Sequence, residues 1–246
     1  MVEATTAIVG ELAPTGVIRA AINLGNIVLA QQDAATGALL GVSVDLTRAL
    51  AARLGVEPEL FPFDTAGKAF AALQAGICDV GFLAIDPVRA ADLTFTPPYV
   101  IIEGTYLVPD LSSLWNIEDV DQAGIRIAAG KNTAYELHLT RALKSAKLVH
   151  TSSSQAAIDL LLEGGAEAAA GVRQSLVATA TVRSGFRVLD GRFLTIQQAI
   201  ASPNGRPEAA RFLKAFTEEM KTSGFVAASL RTSGQGDATV APPHSG

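Results

Sequence analysis

What most restricts the fold of this chain is an alternation that runs twice: a short apolar segment, then a stretch of helical spacing, then another apolar segment. Residues 17–22 (VIRAAI), after the turn-prone Pro14-Thr15-Gly16, predict a first buried strand. A loop at Asn23-Leu24-Gly25-Asn26 leads into SVDLTRALAARLG. There Val44, Leu46, Leu50 and Leu54 lie near helical spacing, Ser43 predicts an N-cap and Gly55 a stop. Residues 59–63 (ELFPF) read as a strand, Asp64-Thr65 caps a helix through Phe70 and Leu73 that Gly76 ends, and 79–85 (DVGFLAI) is a continuous apolar strand. After the apolar stretch 99–108 the order begins again. Strands are expected at 125–129, 147–150 and 167–172, with helices from about 133 to 144 and over 155–162.

Strands apolar on both faces, separated by helices, demand a mainly parallel sheet covered on both sides. The expected fold is therefore α/β in two lobes, each a mainly parallel sheet flanked by helices. Residues 1–108 begin lobe one and 109–195 form lobe two. Residues 196–246 return to lobe one through IQQAIASP and a helix from Pro207 to about Lys221, and end in a frayed tail after Ser233.

Composition narrows the function. The 246 residues are 49% hydrophobic and 17% charged, which suits a packed core and not a disordered chain. A net charge of -5 is the reverse of a nucleic-acid-binding footprint, so no nucleic-acid partner is expected. Cys78 is the single cysteine, and His138, His150 and His244 lie far apart, so neither a metal site nor a cofactor is expected. No apolar run reaches the roughly 20 residues that span a bilayer. The start, MVEATTAIVGEL, lacks the basic and apolar regions of a signal peptide. As given, the chain reads as soluble and leaderless: either a secretory leader has been removed or the protein stays in the cytoplasm.

Two turns carry candidate chemistry. In Asp86-Pro87-Val88-Arg89 the Asp is a good N-cap and Pro suits the first helical position, so Arg89 and free backbone N–H groups converge at the end of a parallel strand. Such a place binds a carboxylate or phosphate. A surface Arg paired with Asp86 or Asp92 explains the same residues. In Gly130-Lys131-Asn132-Thr133 the Thr offers its hydroxyl to a ligand or caps the following helix, and base rates favour the cap. Glu103, in an apolar segment, is a candidate for a raised pKa or a ligand contact, or simply an outward-facing strand residue. Tyr99 and Tyr106 read as core or hinge packing. Enzyme signatures are missing: there is no Walker A run, GxGxxG or HExxH, and Gly41-Val42-Ser43-Val44-Asp45 lacks the closing glycine of a nucleophile elbow. No catalytic residue is assigned.

The ordered series TGVIRAAI, GALLGVSVDLTRALAARLGV, AALQAGICDVGFLAI, DPVRAADLTFTPPYV and GIRIAAGKNTA resembles the family 3 extracellular solute-binding proteins of ABC transporters, with the type II periplasmic-binding fold, over about 14–220. The resemblance implies two α/β lobes joined by two hinge strands and closing on a small solute. It also implies delivery of a polar or carboxylate-bearing ligand to an ABC transporter permease, a monomer, and a periplasmic location if a leader was removed.

By position, Arg89 matches the family arginine that grips the ligand carboxylate and Thr133 the hydroxyl residue that helps hold it, with Asn132 beside it. Asn23 and the Asp64-Thr65 turn fall where lobe one meets the ligand, and Ala84 stands at a ligand-lining position usually held by a small hydroxyl residue, as does Phe82. Other departures follow. Asp86 replaces a common Thr, Thr65 replaces a common stacking aromatic, and Ala170-Gly171-Val172-Arg173 lacks the acid that pairs with an α-ammonium. An ammonium buried without a carboxylate is costly. With Arg173 and Lys131 adding positive potential, an acid lacking the α-amino group is expected to bind more tightly than the matching amino acid, unless Asp64, Asp86 or Glu103 substitutes. Two alternatives share the scaffold: a cyclohexadienyl-dehydratase-like lyase with Glu103 as its pocket acid, and a cytoplasmic solute sensor or scavenger.

Overall fold

The structure, a computed structural model, describes residues 4–244. The chain forms two compact units, one taking residues up to Ile101 and from Gln197 onward, the other Ile102–Ile196. In the first unit helix α1 (Thr6–Leu12) precedes strand β1 (Val17–Asn23) and a two-stranded ribbon, β2 (Gln31–Gln32) and β3 (Leu39–Leu40). Then come α2 (Val42–Leu54), β4 (Glu57–Phe63), α3 (Ala66–Gln74), β5 (Val80–Ala84), α4 (Pro87–Ala90) and β6 (Leu93–Phe95). Strand β7 (Val100–Pro109) carries the chain into the second unit. That unit holds β8 (Arg126–Gly130), α5 (Ala134–Ala142), β9 (Lys147–Thr151), α6 (Ser154–Leu162), β10 (Ala168–Val172), α7 (Arg173–Val182) and β11 (Phe186–Val188). Strand β12 (Leu194–Pro203) brings the chain back to α8 (Pro207–Thr222), α9 (Phe225–Thr232) and β13 (Thr239–Val240).

The first unit's strands run in the order β4-β1-β5-β12. β1 is parallel to β4, with Val17 opposite Glu57 and Asn23 opposite Phe63, and parallel to β5, with Ala20 opposite Val80. Each of these links passes through a helix, as parallel pairing requires. β12 closes the set antiparallel, with Gln198 opposite Ala84, and β6 pairs antiparallel with β12. Every residue of β5 is buried, and Leu73 of α3 packs with Ala21, Cys78, Leu83 and Ala201 in the core. At the strands' N-terminal edge Asp79, 0% exposed, accepts from Arg19 Nε and Nη2 at 2.8 and 2.9 Å and pairs with Arg206 at 3.3 Å.

The second unit repeats the plan. β8 is parallel to both β9 and β10, β7 pairs antiparallel with β10, Val172 opposite Gly104, and β11 pairs antiparallel with β7. Leu107, Ile158, Leu161, Ala169 and Leu176 form one buried cluster, and Ala128, Ala157 and Ala166 form another. The small residues of the second let α6 lie close to β8.

Two expectations are corrected. Ser43 is not the N-cap of α2. The helix begins at Val42 with Gly41 as its cap, because Gly41 adopts φ 109, and a Cβ there would lie 2.6 Å from Leu29 O. Ser43 is instead inside the first turn, its N–H donating to Leu29 O at 3.0 Å. Nor is the tail frayed as far as His244. β13 pairs with β7, Thr239 opposite Ile101 and Val240 opposite Val100, and Ala241 is buried. Ser245 and Gly246 lie outside the described residues.

Candidate functional site

Each unit places its first parallel strand between the second and third, as β4-β1-β5 and as β9-β8-β10. The chain leaves the first strand to one side and returns on the other. The loops at the carboxyl ends of the first and third strands therefore diverge, and that crevice is where ligands bind in open α/β sheets. In the first unit these ends carry Asn23 and the segment 85–89. In the second they carry 130–133 and Val172-Arg173.

Asn23 ends β1 buried, its Oδ1 accepting from the Gly25 N–H at 3.0 Å, while the Leu24 N–H donates to Phe63 O at 2.8 Å. The turn is thus pinned to the end of β4. Thr65 caps α3, its hydroxyl accepting from the Lys68 N–H, and Asp64 pairs with Lys68 at 2.6 Å, a contact that holds the carboxyl below its ordinary range. Leu24, Gln32, Pro62, Phe63, Asp64 and Lys68 line a cavity of about 600 Å³ at this end of the sheet. Asn23, Asp64 and Thr65 are thereby brought to one edge. Phe63, which closes β4, packs on the core and lines this cavity, stands two residues before Thr65, where the resemblance expected an aromatic; an aromatic at the strand's end was the signal for it in the sequence.

On the other side of β1, Asp86 caps α4, its Oδ1 accepting from the Val88 N–H at 2.8 Å with Pro87 at the first helical position. This short helix folds Arg89 back onto the strand it follows. The side chain is 2% exposed and Nη1 donates to Ala84 O at 3.0 Å. Ala84 is buried, so its role visible here is its carbonyl, which fixes the guanidinium. Asp92, offered as an alternative partner for Arg89, accepts from Gln74 Nε2 at 2.8 Å. Ile85 and Val88, 39% and 51% exposed, flank the arginine with apolar surface.

In the second unit Gly130 ends β8 against the start of α6, where a Cβ would lie 2.6 Å from Ser154 N. Lys131 is exposed, and Asn132 adopts φ 62 with its N–H donating to Glu136 Oε2 at 2.9 Å. Thr133 caps α5: its hydroxyl accepts from the Glu136 N–H at 3.2 Å and donates to Gly130 O at 2.8 Å. The proton and one acceptor position are committed to the turn, leaving one lone pair for any further partner. At the end of β10 the half-turn into α7 is made by Val172, buried and without a side-chain cap.

Glu103 overturns an expectation. Its carboxylate accepts from Arg173 Nε at 2.7 Å and from Arg192 Nη1 at 2.9 Å. The Arg173 hydrogen bond, helped by Arg192, outweighs the effect of burial and holds the carboxyl below its ordinary range, not above it. Glu103 therefore stays ionised at neutral pH and is unsuited to donate a proton. Arg173 also donates to the carbonyls of Leu189 and Gly191. Its charge is met by Glu103, which weakens the positive potential expected beside Val172. Among the described residues, no group of three or more His, Cys, Asp or Glu is arranged to hold a metal ion, and no helix is long and apolar enough to cross a membrane.

The model of the bacterial extracellular solute-binding proteins, family 3, matches residues 28–232. The chain belongs to that family. As a family 3 solute-binding protein it is similar in structure to AbpA, an amino acid ABC transporter substrate-binding protein of Streptococcus pneumoniae bound to L-arginine, at a TM-score of 0.79 and 20% identity, covering 90% of this chain and 96% of that one. It is similar also to the P235GK mutant of ArgBP from T. maritima, at a TM-score of 0.78 and 21% identity, over 92% and 98% of the two chains. A third similar structure is an ancestral amino acid-binding protein, a precursor of cyclohexadienyl dehydratase, at 0.76 and 23%, over 91% and 97%. At these identities the likeness establishes the α/β fold of type II periplasmic binding proteins. No curated protein matches the chain.

Proposed function

We propose that this solute-binding protein captures a small polar or carboxylate-bearing solute outside the cytoplasm and delivers it, chemically unchanged, to an ABC transporter permease. The observation that carries the reading is Arg89: a buried guanidinium, aimed by a proline-started helix to the carboxyl end of β5 at the switch point of its sheet. In the same unit Asn23, Asp64 and Thr65 are the proposed solute-facing residues, and Ala84 takes part through the carbonyl that fixes Arg89. In the second unit they are Asn132 and Thr133, whose remaining lone pair accepts from a hydroxyl or N–H of the solute and not from its carboxylate. The family's extracellular character and the amino acid transporter proteins among the similar structures support the reading. A monomer is expected to suffice.

The lyase alternative is supported by the dehydratase precursor among the similar structures. It loses its proposed acid, because Glu103 is held ionised by two arginines. On solute class, Val172 supplies no carboxylate for an α-ammonium, and Asp64 and Glu103 are ion-paired within their own units, which leaves Asp86, buried with its Oδ1 committed to the Val88 N–H, as the one acid of the three that could meet an ammonium. An acid without the α-amino group remains the favoured ligand. A thermal-shift panel of amino acids, their matching 2-hydroxy acids, other carboxylates and polyamines tests both points. A solute that binds only the native state at a hundred times its Kd adds about 2.7 kcal/mol of stability. The expected result is a shift for a carboxylate class, larger for the hydroxy acid than for its amino acid partner. No shift with any member at millimolar concentration overturns the function, and a larger shift with the amino acid overturns the solute class alone.

A further inference from the structure

The family match ends at Thr232, yet the chain remains ordered beyond it, and what it does there is specific. β13 lies antiparallel on the first two residues of β7, and the Ala241 N–H then donates to Tyr99 O at 3.0 Å. The fastening is a buried cation. Lys221, at the end of α8 with its side chain 2% exposed, donates from Nζ to Pro98 O at 3.1 Å and to Pro242 O at 3.0 Å, and pairs with Glu218 at 2.6 Å. One ammonium thus holds the residue two before β7 and the residue two after β13. Glu218 also accepts from the His244 N–H at 3.1 Å. Pro98 and Pro242 of the clasp, with their neighbours Pro97 and Pro243, border a cavity of about 830 Å³. The segment is therefore fixed by hydrogen bonds and by the buried Ala238 and Ala241, not by continuous packing along its length.

We infer that residues 237–244 are a strap across the start of β7, closed by Lys221, and that the order of this crossover strand's first residues depends on the strap. β7 is the strand by which the chain leaves the first unit, and three residues past the strapped Val100 it carries Glu103. The inference rests on backbone pairing and on Lys221, and it stands whether or not the solute reading holds.

Hydrogen exchange read by mass spectrometry tests it with three proteins: the full chain, the chain cut after Gly236, and Lys221→Met in the full chain. Local opening free energies set amide exchange rates, so loss of a local restraint appears in the peptide that it covers and not elsewhere. The cut chain is expected to exchange about tenfold faster or more over residues 98–103, with 17–23 and 147–151 unchanged. Lys221→Met is expected to speed both 98–103 and 237–244 by a smaller factor, and Lys221→Arg to restore part of the protection. Unaltered exchange over 98–103 in the cut chain overturns the inference. So does equal acceleration in all peptides, which would make the tail part of the general core. Should the cut chain fail to fold, Lys221→Met decides the matter: faster exchange confined to 98–103 and 237–244 supports the strap, and wild-type exchange there refutes it.

Discussion

Asp79→Asn is expected to lower the stability of the first unit by about 3 kcal/mol, because removing one member of a buried charge cluster leaves the others uncompensated. Asp79 is wholly buried and both of its oxygens are used, in a fork to Arg19 and a second contact to Arg206. The asparagine keeps the shape but places an N–H₂ where a guanidinium already donates. Arg19 reaches the cluster from the middle of β1, Arg206 from the start of α8, so the carboxylate ties the sheet to the C-terminal helix. Arg206→Met should cost less, since its contact is single and longer and Arg19 keeps its fork. Urea unfolding at neutral pH checks both. A loss under about 1 kcal/mol for Asp79→Asn would place it with surface ion pairs and show that the cluster tolerates an unpaired arginine.

Arg89→Ala is expected to weaken binding of an anionic solute by about thirtyfold or more, since truncating one partner of a desolvated charge pair costs about 2–5 kcal/mol. Arg89→Lys should fall between the two, because lysine keeps the charge and loses the planar fork. Arg89 also holds Ala84 O, so part of the effect in the alanine variant is loss of order at the end of β5. Circular dichroism and the melting temperature of the free protein separate that part from lost contact. Wild-type affinity in a folded Arg89→Ala would move the anion grip elsewhere and remove the main support for the proposed site.

Much of this was legible because it is local. Thr65, Asp86 and Thr133 each cap the helix that follows, as expected from residue type and spacing, and β5 and β10 are buried on both faces, whereas the outer strands β4 and β9 hold no fully buried residue. What was missed is set by partners distant in sequence. Glu103 looks like a lone acid among apolar neighbours, yet its two arginines come from 70 and 89 residues further along. The tail has the glycine and proline content of a loose end, and only its pairing with β7 and the buried Lys221 order it. Ser43 was preferred as a cap by its chemistry, but the close passage of Leu29 O required a glycine two residues earlier. Arg89 was singled out from its sequence position. Its tether to Ala84 O, by which the strand end and the helix hold one another, needed the folded chain.

Calorimetric titration of the full chain with the solute chosen by the panel tests the central claim most directly, since one trace reports both occupancy and chemistry. The account predicts a single saturable isotherm at one solute per chain, with a Kd of about 10 μM or tighter and no heat once the site is filled. Heat that continues after saturation would reveal turnover, and the absence of saturable heat with every carboxylate and amino acid would remove solute capture altogether.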